Sequence, residues 1–283
     1  MRLFPFINIH FLDFNNVLHA HSHIAILAWL YNAILLLIAH YFIKIYYKKI
    51  NSSIIAYNVI ILAMFISFIV QGYGLFSIVF SSMQIILSYF IAFKLRHIFI
   101  INKITIPISL KVAFYFFIFS AFLPFILAIL KVLDYTPEYQ NYIVNFYLYL
   151  QTSGFIFFSL LALILKVLDL NRKQFSVHIK SLALCTLFIS LMEFPYIISI
   201  YEFKIILLLI NLLFICVFVF FMKINTKYII IKFLFFAMLI KSLSHFLIMY
   251  DNFNIIITNR LFVITYLHWM FLVIFSTAIW EIF

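Results

Sequence analysis

The chain has 283 residues, of which 68% are hydrophobic, 21% aromatic and only 10% charged, and its formal net charge is +11. So much apolar surface excludes a soluble globular domain, and its arrangement in long blocks rather than alternating runs of about ten residues excludes a transmembrane barrel. The positive charge sits in short segments between the blocks, where membrane orientation and anionic lipid account for it, and it implies no nucleic-acid partner.

In chain order, the residues before Leu18 carry Asp13 and no uninterrupted apolar core, so they read as a retained lead-in rather than a cleaved signal. A first span is expected over 18–43, followed by Lys44, Lys48 and Lys49. Spans over 54–70 and 76–93 are joined by the polar break Gln71-Gly-Tyr-Gly74, which holds two of the three glycines. Lys94, Arg96, His97, Lys103 and Lys111 precede a span over 112–130, and a faintly acidic loop follows with Lys131, Asp134 and Glu138. The span over 142–165 is polar in its first half, with Asn145, Tyr147, Tyr149, Gln151, Thr152 and Ser153. A span over 181–200 contains Glu193, one over 205–222 is almost wholly apolar, one over 229–250 contains Lys241 and His245, and one over 261–283 contains His268. Cys185 and Cys216 both fall in apolar segments, which reads as small core residues and supports neither a disulfide framework nor a thiolate metal site.

The expected fold is therefore all-α, a polytopic transmembrane helix bundle forming a single domain over 1–283. The connections after the first, third, fifth and seventh spans are basic and the others are not, so the positive-inside rule predicts about nine spans, an outer amino terminus and an inner carboxyl terminus.

Function is sought in the polar residues this topology gathers. His19-Ala-His21-Ser-His23 opens the first span, and imidazole is the commonest protein ligand for transition metals and haem iron. His19 and His23, four apart, share one helix face, while His21 points roughly the other way. The predicted orientation puts all three in the outer half of the membrane, at a depth similar to Gln71, Gln151, Glu193, His245 and His268. Ionisable groups in a membrane are costly and face bundle interiors or cavities, so this layer suggests a shared site. His19, His21, His23, His245 and His268 are the candidate metal ligands, with interfacial histidines as the bland alternative. His40, His97 and His178 fall on the inner side and read as interfacial or loop residues. Glu193 and Lys241 read either as a proton relay or as an ion pair that only offsets their burial. Gln151, beside Tyr147 on one face, suits either a ligand or a helix-to-helix hydrogen bond.

His19-Ala-His-Ser-His23-Ile-Ala-Ile-Leu-Ala-Trp29, Ile69-Val-Gln-Gly-Tyr-Gly74 and Tyr147-Leu-Tyr-Leu-Gln151-Thr-Ser-Gly154 together resemble a family of Bacteroidota inner-membrane proteins with a His-Ala-His-Ser-His motif, over most of the chain. Here Ala28 stands where that family usually has glycine before the tryptophan. The family is in turn distantly similar to the large subunits of haem-copper oxidases and nitric oxide reductases. The resemblance implies a multi-pass protein of the bacterial cytoplasmic membrane that binds haem b, or copper, iron or zinc, with other respiratory or membrane subunits as partners besides the lipid bilayer. It implies oxidoreductase-like or gas-ligand chemistry, with one axial ligand from His19 or His23, the other from His245 or His268, and Gln151, Glu193 and Arg260 anchoring or tuning the cofactor. The chain has too few spans, no adjacent histidine pair and no His-Pro-Glu-Val segment, so oxygen reduction does not follow.

The haem- or metal-binding reading is favoured; the alternative is a proton- or metal-ion-coupled transporter using the same polar residues, with Glu193 and Lys241 as the relay. A metal-dependent lipid-modifying enzyme ranks below both, because its histidine boxes sit at the cytoplasmic face with adjacent histidines. With only three glycines there is no phosphate loop or nucleophile elbow, and no nucleotide partner is expected.

Overall fold

In the computed structural model, the described residues are 13–46, 48–169, 175–194, 201–224, and within 232–282 only 232, 236, 239, 240, 242, 243, 265 and 267–282. Among them there is no strand, and the fold is all-helical. Among the described residues, six helices are long and apolar enough to cross a membrane: α1 (Phe14–Tyr46), α2 (Lys48–Gln71), α3 (Leu75–Ile101), α4 (Ile108–Val132), α5 (Pro137–Val167) and the core of α7, Glu202–Val219, within Tyr201–Ile224. Two shorter apolar helices are α6 (Ser176–Met192) and α8 (Trp269–Trp280). The expected spans over 18–43, 54–70, 76–93, 112–130, 142–165 and 205–222 coincide with the long helices. The expected span over 229–250 falls almost entirely outside the described residues, as does the beginning of the one over 261–283. The chain divides into two compact units, Met1–Thr105 and Ile106–Phe283.

In the first unit α1 packs on α2 and α2 on α3. Asp13 starts α1 by accepting from the amides of Asn15 (2.7 Å) and Asn16 (3.2 Å), which occupies two donors that a helix start leaves orphaned. The α2–α3 connection is as tight as Gln71-Gly-Tyr-Gly74 suggests. Gly72 has φ +60°, a left-handed conformation that ordinary side chains resist, and Asn16 of α1 lies where a Cβ there would stand. Gln71, its amide oriented by its donors, accepts from the amides of Phe76 (2.7 Å) and Ser77 (2.9 Å) and so caps α3. Ala20, Met64 and Phe68 form a buried cluster against Leu27, Phe65, Ile69 and Phe80.

In the second unit α5 is central, and its 149–165 stretch is buried on every side although it contains Gln151, Thr152, Ser153 and Ser159. It packs against both halves of α4 and against α6 and α8, while α6 also packs against α7. The turn at Ala121 and Phe122 divides α4 into Ile108–Ser120 and Leu123–Val132. Pro124 explains it: the ring lacks an amide hydrogen and collides with the carbonyl four residues back, so the α ladder cannot run through. Cys185 is buried, in line with the sequence reading, but Cys216 is exposed, because it lies on the outward side of α7.

Candidate functional site

The opening motif builds a cluster of rings in the first unit. His19 and His23 both lie in the regular α-helical first part of α1, Phe14–His23, so their four-residue spacing does place them on one face. Tyr73, supplied by the α2–α3 turn, meets both. Its ring is edge-on to His19 at a centroid distance of 4.7 Å and to His23 at 6.3 Å. Phe68, one turn before the end of α2, stacks on His23 at 4.5 Å and meets Tyr73 edge-on at 5.2 Å. His21, two residues on from His19, is exposed.

Ring contacts engage the faces and edges of an imidazole, whereas a metal binds the nitrogen lone pair, which lies in the ring plane. The donor set therefore fits a metal that seeks imidazole: two nitrogen ligands at helical spacing, the arrangement of a metal-binding His pair on one helix. A closed structural zinc site needs four protein ligands, so the pair would fit an ion completed by further ligands, while haem iron would take only one of the two, since side-by-side histidines cannot reach opposite sides of a haem. Among the described residues, no three His, Cys, Asp or Glu side chains come together around a point that a metal could occupy.

The other predicted residues stand as follows. Gln151 is buried within α5, and its Nε2 donates to Ser120 Oγ of α4 at 2.8 Å, so the helix-to-helix reading describes it. Gly154, one turn on, lies so close to the Phe116 ring that a Cβ would overlap it, and Phe117 packs on Phe155 at 4.9 Å. Glu193 ends the 3-10 turn Ser190–Glu193 at the close of α6. His268 is exposed at the residue before α8. His245, Lys241 and Arg260 lie outside the described residues.

One feature of the backbone has no counterpart in the sequence reading. Among the described residues, three helices contain a π-helical segment of seven residues: Ile24–Leu30, Leu150–Ile156 and Trp269–Phe275. His23 immediately precedes the first, Gln151 lies inside the second, and His268 immediately precedes the third. Such segments are rare and collect at functional sites. A wider register also presents carbonyls to side-chain donors, which lipid cannot supply. In the first segment Tyr57 OH donates to the Leu27 carbonyl (3.2 Å) and Asn32 Nδ2 to the Ala28 carbonyl (2.7 Å). Beside the second, Thr152 Oγ1 donates to the Leu148 carbonyl (2.8 Å); in the third, Ser276 Oγ donates to that of Phe271 (2.7 Å).

Around the first segment these bonds extend into a network that sequence reading missed. Gln84 Nε2 of α3 donates to Tyr57 OH of α2 at 3.0 Å, and Asn32 Nδ2 also donates to Asn58 Oδ1 at 2.7 Å. Tyr57 and Gln84 are buried, so a chain of polar groups crosses three helices inside an apolar unit. Asn32, Asn58 and Gln84 within apolar spans were the available signal, since polar residues in lipid need partners.

The fold and this site define a multi-pass helical membrane protein with a paired-histidine, aromatic-backed cluster at one end of its first helix. The chain matches no protein-family model, no curated protein and no solved structure.

Proposed function

We propose that this is a bacterial cytoplasmic-membrane protein that binds haem or a transition-metal ion through the His19 and His23 imidazoles. The observation that carries the reading is the convergence of both rings on Tyr73, with Phe68 stacked on His23, which holds two nitrogen ligands side by side at the end of a membrane helix. The bound group would supply redox or gas-ligand chemistry; His19 and His23 would offer it imidazole nitrogens, backed by the rings of Tyr73 and Phe68. His21, on a different side, serves no ligand role in this reading. About nine spans, with the amino terminus outside, place the cluster on the outer side of the membrane. Titration of purified protein with ferrous iron, copper, zinc or haem should give binding that weakens at least tenfold in His23→Ala; unchanged binding in that variant would remove the histidine pair from the account.

A second reading has its own observation. The bonds from Gln84 to Tyr57 and from Tyr57 to the Leu27 carbonyl carry polar groups across three helices in the buried interior of the first unit, as an ion or proton path requires, with the pair Asn32 and exposed Asn58 nearer the surface. That reading makes the protein a proton- or metal-ion-coupled transporter and predicts flux into proteoliposomes that Tyr57→Phe slows.

A further inference from the structure

We propose that the lysine-rich end of the first unit is a binding surface for the phosphates of anionic lipid headgroups, suited to a headgroup that carries two. Lys44, Lys48, Lys49, Lys94, Arg96 and Lys103 all belong to this unit, whereas from Phe14 to Leu133 the sequence contains no Asp or Glu. The single acidic residue of the unit, Asp13, caps the opposite end of α1. The cations therefore have no carboxylate of their own unit to neutralise them, and their counter-ion must come from outside it.

The positive-inside rule explains why they share a side of the membrane, but not how they are arranged. Lys94, on α3, donates from Nζ to Ser53 Oγ on α2 at 3.0 Å and lies 5.4 Å from the centre of the Phe90 ring. This bond places Lys94 alongside the first turns of α2, and Arg96 and Lys103 lie at the same end of α3, so two segments distant in sequence put their cations at one end of the unit. Lys49 lies 5.3 Å over Tyr46. Both lysines thus run their stems along aromatic rings at the end of an apolar helix, the depth at which headgroup phosphates sit. Lys44, Lys48, Lys49, Arg96 and Lys103 are exposed. Lys48 and Lys49 also occupy the first turn of α2, where the helix dipole disfavours positive charge and an anion would offset both. Three cations from each segment match a headgroup with two phosphates better than one with a single phosphate.

The test compares the detergent-purified wild-type chain with a Lys48→Gln, Lys49→Gln, Arg96→Gln triple variant, leaving Lys94 untouched. Binding of phosphatidylcholine, phosphatidylglycerol and cardiolipin is read by native mass spectrometry, and the lipid-free thermal midpoint is recorded for each protein. The expected order is cardiolipin tightest, phosphatidylglycerol weaker and phosphatidylcholine absent. Each lost cation should weaken binding about fivefold, so the triple variant should lose about a hundredfold for the anionic lipids. A charge-retaining variant, Lys48→Arg, Lys49→Arg, Arg96→Lys, should keep wild-type binding, which separates charge from folding. Equal binding of phosphatidylcholine and phosphatidylglycerol, or equal anionic-lipid binding by wild type and the triple Gln variant, would overturn the proposal.

Discussion

His23 lies against Phe68 with ring centroids 4.5 Å apart and planes 19° from parallel, so an imidazole on α1 takes its orientation from a phenyl ring on α2. Phe68 is itself fully buried beside Ala20 and Met64, which means the histidine is set by the packed core of the first unit rather than by a mobile loop. Replacing Phe68 with Ala should therefore do two things at once. The cavity should cost about 3 kcal/mol of stability, read as a lower thermal midpoint in detergent. Any metal or haem bound at His23 should also be held more loosely, because the ring loses its backing.

The Tyr57 hydroxyl accepts from Gln84 and donates to the Leu27 carbonyl, so it joins α3 to the π segment of α1. Tyr57→Phe is expected to lower stability by about 1 kcal/mol. Gln84→Leu should cost a similar amount, and the double variant should cost clearly less than the sum, since both substitutions break one shared bond. Strict additivity would show that the two groups do not act together.

Gly154 has no room for a methyl group against Phe116. Gly154→Ala should destabilise the second unit by about 1–3 kcal/mol, the usual range for overpacking, and Phe116→Leu should recover part of that loss. Gly72→Ala differs, because it meets both a left-handed backbone and Asn16. Asn16→Ala should relieve only the steric share and leave about 1 kcal/mol of backbone strain.

The helix α3 runs from the turn containing Tyr73 to Asn102, with Lys94, Arg96 and Lys103 gathered at the Asn102 end. A Tyr73→Cys variant should react with a membrane-impermeant thiol reagent added outside intact cells, and an Asn102→Cys variant only after permeabilisation. The opposite pattern would invert the topology that places the histidine cluster on the outer side.

Much of this architecture can be read from the residues, and for a physical reason. Long apolar blocks admit only helices in a membrane, and Gln71-Gly-Tyr-Gly74 admits only a turn, so α2, α3 and their connection follow from local chemistry. The shared face of His19 and His23, and the separation of His21 from it, follow from the helical period. What the period cannot reveal is long-range partnership. Tyr73 reads as one of 18 tyrosines until the turn folds it onto His19, and Gln151 reads as either a ligand or a helix-to-helix donor until Ser120 is placed beside it. The π segments were also hidden: Ile24–Leu30 is an ordinary apolar run, and its widened register is supported by Tyr57, thirty residues away from Leu27. Asn32 and Asn58 likewise reveal themselves only as a pair.

The most direct test of the ligand role of His19 and His23 is a visible absorption spectrum with metal analysis on the same detergent-purified sample, for the wild-type chain and for a His19→Ala, His23→Ala double variant. The account predicts a haem Soret band or near-stoichiometric iron, copper or zinc in the wild type, and its loss in a double variant that still unfolds cooperatively. A wild-type protein that takes up neither haem nor metal when supplied with them, or a double variant that retains the full wild-type content, would contradict it.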